Sequence, residues 1–455
     1  MHQSSNNHAA LIDAPIYRVF IKYALPSVVT MVFFGLQSLV DGIVVGNYLG
    51  SDALGGINII MPLYSFIIVL ALIVGIGSQT LVSMELGRNH LDAAQQAMST
   101  GFWSLLVIGC VMTALSLWLA EPMTRWMGAD ERLQPYSLAY LSGLLPFIVP
   151  LVLCFYSDAM LKSLGHPTFS MIIMSLAVLL NIALSMFFVI VLEWGTTGAS
   201  VATGIAFTIG LCVSACITFH PKQPISMLKG RFQFDLLKRA AFNGSSEGVS
   251  EMAAAVSILI INLTVVRLLG ADGVAAFTAI NYINFIGVLL FLGISDGLIP
   301  VLSYHYGAKQ YDRVKQMFRF AAVVNTTIGV IIFVLLQWYG DRAILLFFDT
   351  PESSAFQIAA QGLHLFAFVF LINGLNVLII SYFTALGAAK HSLVISVLRG
   401  LVFVLVGVTV LPMWMGIQGV WAAIPLAELM ALGVALLLLK KANRTYFGRK
   451  RRDTI

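Results

Sequence analysis

Residues 57–77 read INIIMPLYSFIIVLALIVGIG, a run without a single charged side chain. A helix needs about 20 apolar residues to cross ~30 Å of hydrocarbon. Backbone polar groups find no water at that depth, so a run of this length and character is read as a membrane-spanning helix. Residues 169–192 form a second uncharged run of the same kind. The rest of the chain agrees. Of its 455 residues 59% are hydrophobic and only 10% are charged, with a mean hydropathy of +0.91. A soluble domain carries about 25% charged residues because water-facing surface must be covered. The expected fold class is therefore an all-α integral membrane protein.

The same criterion applied along the chain predicts twelve spans: 17–49, 53–84, 95–120, 134–161, 168–192, 197–219, 237–268, 274–304, 314–340, 354–386, 391–412 and 417–440. Several exceed 25 residues, which implies tilt or water-exposed ends. An even number puts both termini on one side, and basic residues choose it. Of 26 Lys and Arg, only Arg125, Arg132, Arg267 and Arg342 fall in the loops opposite the termini; the other 22 fall on the terminal side and its adjoining helix segments, Arg399 among them. The positive-inside rule then makes both termini cytoplasmic. The polar first fifteen residues lack the apolar core of a signal peptide, so the first helix is expected to stay in the membrane. The formal charge of +5 follows the membrane, with a terminal cluster Gly448-Arg449-Lys450-Arg451-Arg452 suited to anionic lipid. No nucleic-acid partner and no obligate protein partner is expected. The four cysteines, Cys110, Cys154, Cys212 and Cys216, lie inside apolar runs and read as small packing residues.

Sliding the sequence over itself by about 220 residues brings similar features into register. Val45-x-x-x-Leu49-Gly50-x-Asp52 falls over Val265-x-x-x-Leu269-Gly270-x-Asp272, and Gly87 and Asp92 fall over Gly307 and Asp312. Leu164-Gly165 falls over Leu386-Gly387, and Gly195-x-x-Gly198 over Gly416-x-x-Gly419. Two six-helix lobes follow, 1–220 and 237–441, joined by a cytoplasmic linker at 221–236 and ending in a basic tail at 442–455. Each lobe holds an even number of helices, so a pseudo-twofold axis along the membrane normal would relate them. Two such lobes suit alternating access to one site. A membrane enzyme would need clustered nucleophiles, bases or metal ligands in its spans, and the eight His and four Cys are scattered. No cofactor is expected.

Six acids fall inside the spans: Asp41, Asp158, Glu247, Glu251, Asp296 and Glu428. A charge at the bilayer centre costs ~2.5–3.5 kcal/mol on insertion scales, so each is a functional candidate. Asp158 and Asp296 lie near cytoplasmic helix ends, within reach of Lys162 or His305 and water. Glu428 has a possible structural partner in Arg399 on the preceding helix, an alternative to a transport role. Asp41 follows Gln37 by one helical turn, so the two share a face. No deep Lys or Arg neutralises it in the first helix, and it suits either a proton or Na⁺ held with neutral oxygens. Glu247 and Glu251 share one face of the seventh helix, and two carboxylates so close resist joint ionisation.

Leu25-Pro26, Gln37-x-x-x-Asp41 and Val45-Gly46 before Leu49-Gly50 resemble the first helix of the multidrug and toxic compound extrusion (MATE) family. The resemblance continues through Gly87, Leu164-Gly165, Asn181 and Gly195-x-x-Gly198-Ala199-x-x-Ala202-Thr203, and spans the chain. It implies a cation-coupled antiporter, using H⁺ or Na⁺, that expels amphipathic and often cationic compounds. The absence of transit features and the compact loops point to a prokaryotic inner membrane. The resemblance further implies that Asp41 belongs to the amino-lobe cation site with Gln37, Asn181 and Thr203 near it. Pro26 would kink in response, and Glu247, beside Glu251, would be the carboxy-lobe acid. Two positions depart from the fuller family pattern: Ser185 stands where many relatives carry Asp, and Asn373 where others carry Asp, with Asn376 a turn later. Met31, Phe33, Phe34, Tyr64, Phe155, Tyr156, Tyr282 and Asn284, with Asn373 and Asn376, mark the expected substrate region. Rings hold cations and Met adapts to shape. The alternative is a flippase for lipid-linked saccharides or lipid precursors, which would want several cavity cations where Arg399 is the clear mid-span one.

Overall fold

The computed structural model describes residues 14–219, 225–348 and 350–446. The predicted linker at 221–236 and the basic tail at 442–455 lie partly outside those residues. Among the described residues there are ten continuous helical runs long and apolar enough to cross a membrane. Two of them, Ile16–Gly87 and Phe234–Gly307, contain 72 and 74 residues. At 1.5 Å per residue each would reach about 110 Å if straight, more than three hydrocarbon thicknesses. Each is broken by one glycine, Gly50 at φ 85° and Gly270 at φ 63°. Only glycine takes that left-handed geometry without strain, so the chain turns there. The ten runs therefore resolve into the twelve spans that the hydropathy predicts.

We number them α1 (16–49), α2 (51–87), α3 (Leu91–Trp126), α4 (Gln134–Ser163), α5 (Pro167–Val191), α6 (Gly195–Thr218), α7 (234–269), α8 (271–307), α9 (Tyr311–Ile344), α10 (Ser354–Ala385), α11 (Ala389–Met415) and α12 (Ile417–Tyr446). The repeat is visible in the backbone itself. Left-handed residues recur at Gly50 and Gly270, Asn89 and Lys309, Gly165 and Gly387, and Gly195 and Gly416. The separations are 220, 220, 222 and 221 residues, the same as those of the sequence repeat. Single 3₁₀ turns recur at Leu145–Phe147 in α4 and Ala367–Val369 in α10. The π-turns do not match: Phe187–Val191 ends α5, whereas Leu398–Val402 sits inside α11.

The chain divides into two compact units by packing. One comprises residues up to Gly244 with Ser303–Lys309, and the other Ser245–Leu302 with the chain from Gln310 onward. The first therefore takes the start of α7 and the last turns of α8. A Cβ at Gly77 would fall 1.9 Å from the Ala240 carbonyl oxygen, and one at Gly87 would fall 2.1 Å from that of Tyr304. Backbone meets backbone at both places, so only glycine fits. In the second unit Ser246, Ser250 and Ser257, on one face of α7, bond to Thr384 on α10 and to Ser396 and the Gly400 carbonyl on α11.

Candidate functional site

In the first unit Asp41 lies in the last third of α1, nine residues before the Gly50 turn, and is only partly buried, with Gln37 one turn earlier and buried. Gln37 and Ser185 are the polar side chains that approach its carboxyl. Even so, Asp41 Oδ1 and Ser185 Oγ are both buried without a hydrogen-bond partner. Asn181, one turn before Ser185 on α5, donates from Nδ2 to Thr203 Oγ1 on α6 at 2.9 Å. That bond leaves Asn181 Oδ1 buried and unpartnered. Thr203 Oγ1 in turn donates to the Ala199 carbonyl at 3.2 Å. The field of Asp41 also reaches the phenols of Tyr64 on α2 and Tyr140 on α4. A carboxylate oxygen, an amide oxygen and a hydroxyl, each lacking a donor, form a chemistry that suits a proton or a hard monovalent cation.

Of the expected amino-lobe set, Gln37, Asn181 and Thr203 stand on the elements around Asp41. Ser185, noted in the sequence as a loss of charge, stands beside it. Tyr140 was not singled out, and nothing local marks it. Pro26 is buried in α1, and Thr30 Oγ1 donates to its carbonyl at 3.0 Å.

The second unit holds a differently built acid site. Glu428 on α12 is 5% exposed and lies 2.7 Å from Arg399 Nε on α11. Asn373 Nδ2 donates to Glu428 Oε1 at 2.9 Å, and Asn376 Nδ2 to Oε2 at 2.6 Å and to the Glu428 carbonyl at 2.8 Å. Both carboxylate oxygens are thus occupied, and Arg399 supplies the counter-charge. Arg399 sits within the π-turn of α11, where Ser257 takes up the Gly400 carbonyl at 2.6 Å. Glu428 is thus paired with Arg399, the partner that the sequence offers it. Asn373 and Asn376, expected in the substrate region, are buried and donate to Glu428, and each keeps its Oδ1 unpartnered. Glu247 has one buried oxygen, Oε1, without a partner. Asp296, Glu251 and Arg399 are the charged groups whose fields reach it, and Glu251 itself is exposed. Asp158 is paired with Lys162 at 2.8 Å and accepts from Ser170.

The remaining aromatic candidates are scattered in role. Phe34 stacks against Phe155 and Phe207 with centroids 5.7 and 6.4 Å apart, and Tyr64 packs on the same cluster. Tyr156 is fully buried and donates to the Met98 carbonyl at 2.5 Å, so it joins helices rather than facing open space. Tyr282 is exposed and stacks on Phe347 at 5.8 Å. Met31, Phe33 and Asn284 are partly buried, and Asn284 Oδ1 is buried without a partner.

Comparison with known proteins fits this architecture. The MatE family model matches residues 26–187 and again 248–409, one copy per half. An FAD transporter of Shewanella oneidensis is 24% identical, covering 94% of this chain and 95% of that protein. The multidrug export protein MepA of Staphylococcus saprophyticus is 21% identical, covering 93% of each. Among solved structures, a MATE transporter in its straight conformation superposes with a TM-score of 0.91 at 20% identity, covering 96% of this chain and 98% of that one. A MOP superfamily transporter from Pyrococcus furiosus gives 0.89 at 20% identity with the same coverage. With one family model matching both halves over 162 + 162 = 324 residues, the chain belongs to the MatE family of membrane transporters.

Proposed function

We propose that the protein is a cation-coupled antiporter that exports amphipathic, often cationic compounds by alternating access, with H⁺ or Na⁺ as the coupling ion. The observation that carries this reading is the Asp41 site, a carboxylate within a membrane-spanning helix whose Oδ1 is buried without a hydrogen-bond partner, beside the equally unpartnered Ser185 hydroxyl. A ligand shifts a conformational equilibrium only by its differential affinity for the two states. Filling or emptying such a site changes the charge inside the helix bundle, and so supplies that difference. Pro26, fifteen residues earlier on the same helix, gives α1 a place to bend. The membrane assignment is the prokaryotic inner membrane with both termini cytoplasmic, which the 22-to-4 split of basic residues supports.

The test is efflux of a cationic dye from energised everted vesicles, with a proton gradient or a Na⁺ gradient imposed separately. Gradient-driven dye movement by the wild-type protein is expected, and dye movement indifferent to both gradients would overturn the antiport reading. The FAD transporter of Shewanella oneidensis supports a second cargo, an anionic flavin nucleotide. Flavin transport without dye transport in the same vesicles would favour it.

A further inference from the structure

The two halves differ at the first turns of their third helices, α3 and α9, and the difference exposes a site. In α3 that face is covered by the chain between α6 and α7. Ser226 N donates to Gln95 Oε1 at 2.7 Å, Gly230 N to Ser99 Oγ at 2.9 Å, and Gln233 N to Thr100 Oγ1 at 3.1 Å. Adding the repeat offset of 220 carries Gln95 and Ser99 onto Lys315 and Arg319 of α9. Here the neutral, backbone-binding side chains have become two cations one helical turn apart. Arg319 is exposed and makes no hydrogen bond or ion pair among the described residues.

Lys315 and Arg319 line a cavity of about 340 Å³ with Phe318, Tyr382 and Leu439. Tyr382 and Phe318 pack together with ring centroids 4.6 Å apart and give it a rigid floor. Directly along the same helix a second cavity of about 450 Å³ is lined by Ala322, Val323, Thr326, Thr327, Val330 and Ile331. The spacing 315, 319, 323, 326, 330 follows the i, i+3, i+4 stripe of one helix face. Val323, Val330 and Ile331 are exposed apolar residues, so the stripe opens outward. From Arg319 to Ile331 the helix rises about 18 Å, a little more than half of a ~30 Å hydrocarbon core.

We propose that this basic pocket and the groove below it form a binding site for one anionic glycerophospholipid, with its phosphate between Lys315 and Arg319 and an acyl chain along α9. The charge at one end selects an anion, and the apolar groove beyond it selects a chain. Free phosphate fits the first feature and leaves the second unexplained. Lys315 and Arg319 both attract an anion, and the chain's own Arg449, Lys450, Arg451 and Arg452 carry like charge. The proposal rests on the cytoplasmic placement of the α8–α9 loop, where anionic lipids are concentrated, and is independent of the cargo.

The experiment uses the purified full chain, stripped of lipid in detergent. Thermal unfolding and native mass spectrometry are read with added phosphatidylglycerol, phosphatidylcholine or glycerol phosphate. Phosphatidylglycerol should raise the midpoint and leave one retained lipid, while the other two should do neither. Lys315→Gln/Arg319→Gln should remove at least half of that stabilisation. Val323→Trp, which fills the groove without changing charge, should do the same. An equal effect of phosphatidylcholine or glycerol phosphate would overturn the proposal. So would loss of the effect only when the tail arginines are neutralised. A photoreactive phosphatidylglycerol provides a readout that needs no variant: label on residues 323–331 supports the site, and label confined elsewhere refutes it.

Discussion

The two halves share a backbone plan but exchange polar and apolar side chains at corresponding positions. Counting by the repeat offset, Asp41 corresponds to Ile261 and Thr203 to Ile424, and both isoleucines belong to the apolar core of the carboxy half. In the other direction Asn373, Asn376 and Glu428 correspond to Leu151, Cys154 and Phe207. Those three, with Met174, form the apolar cluster on which Phe34 and Tyr64 pack. Each half thus centres a polar cluster on an acid at positions that are apolar in the other half, and on different helices. The difference that matters is in the counter-ion. Both clusters keep unpartnered amide oxygens, Asn181 Oδ1 in one and Asn373 and Asn376 Oδ1 in the other; the amino cluster has a carboxylate with no built-in cation, whereas the carboxy cluster carries Arg399 against Glu428. A site left open for an ion can be loaded and emptied; a site already holding a guanidinium is a structural joint. Duplication therefore need not mean two coupling sites.

The most direct way to break this contrast is Asp41→Asn. In proteoliposomes at matched protein density, ion-driven efflux should fall to the passive leak while the protein still inserts and binds some substrate. Wild-type rates would transfer the coupling role to the carboxy half. The converse test removes the built-in cation. Arg399→Met leaves Glu428 buried and uncompensated and should destabilise the protein by about 3–5 kcal/mol. Arg399→Met/Glu428→Gln should recover most of that loss in thermal unfolding, because the glutamine keeps an acceptor for the asparagine amides without a charge. If single and double variants melt alike, the pair is not the joint described above.

Glu247 tests whether the carboxy half is silent in coupling. Its Oε1 has no partner, but Arg399 lies within reach of its field, so Glu247→Gln should slow efflux several-fold without abolishing it and with normal accumulation. Efflux equal to wild type across the neutral pH range would confine coupling to Asp41. The smallest effect is expected where the halves agree. Gly50→Ala and Gly270→Ala each meet open space, so only the left-handed backbone resists them. Each should lower stability by roughly 1–3 kcal/mol, and clearly unequal losses in thermal unfolding would show that the two turns are not equivalent.

Much of the architecture is legible in the sequence because hydrophobic length and glycine spacing are local properties. Gly50 and Gly270 mark the same turn in both halves, and the pairing of Glu428 with Arg399 follows from two mid-span charges of opposite sign on consecutive helices. The site is legible only in outline. Gln37 and Asp41 share a helix, so their common face can be counted. The approach of Ser185, Tyr64 and Tyr140 to Asp41 depends on how α2, α4 and α5 pack against α1. Asn373, where other family members carry Asp, and Asn376 a turn later stand out in the sequence as polar residues of one helix. Their bonds to Glu428, fifty residues away in the chain, are set by packing that no periodicity encodes.

The single-residue turns at Gly50 and Gly270 have a practical consequence for anyone probing the molecule from outside. A hairpin that reverses within one residue presents no loop, so proteases, antibodies and bulky labels have nothing extended to grip there. The Arg132 guanidinium, which forks onto Asp52 at 2.6 and 2.7 Å, covers the first turn further. Epitopes and reporter insertions on that face belong instead near Gly128 or in the segment before Ser354, and a null result at either glycine would say nothing about which side of the membrane it occupies.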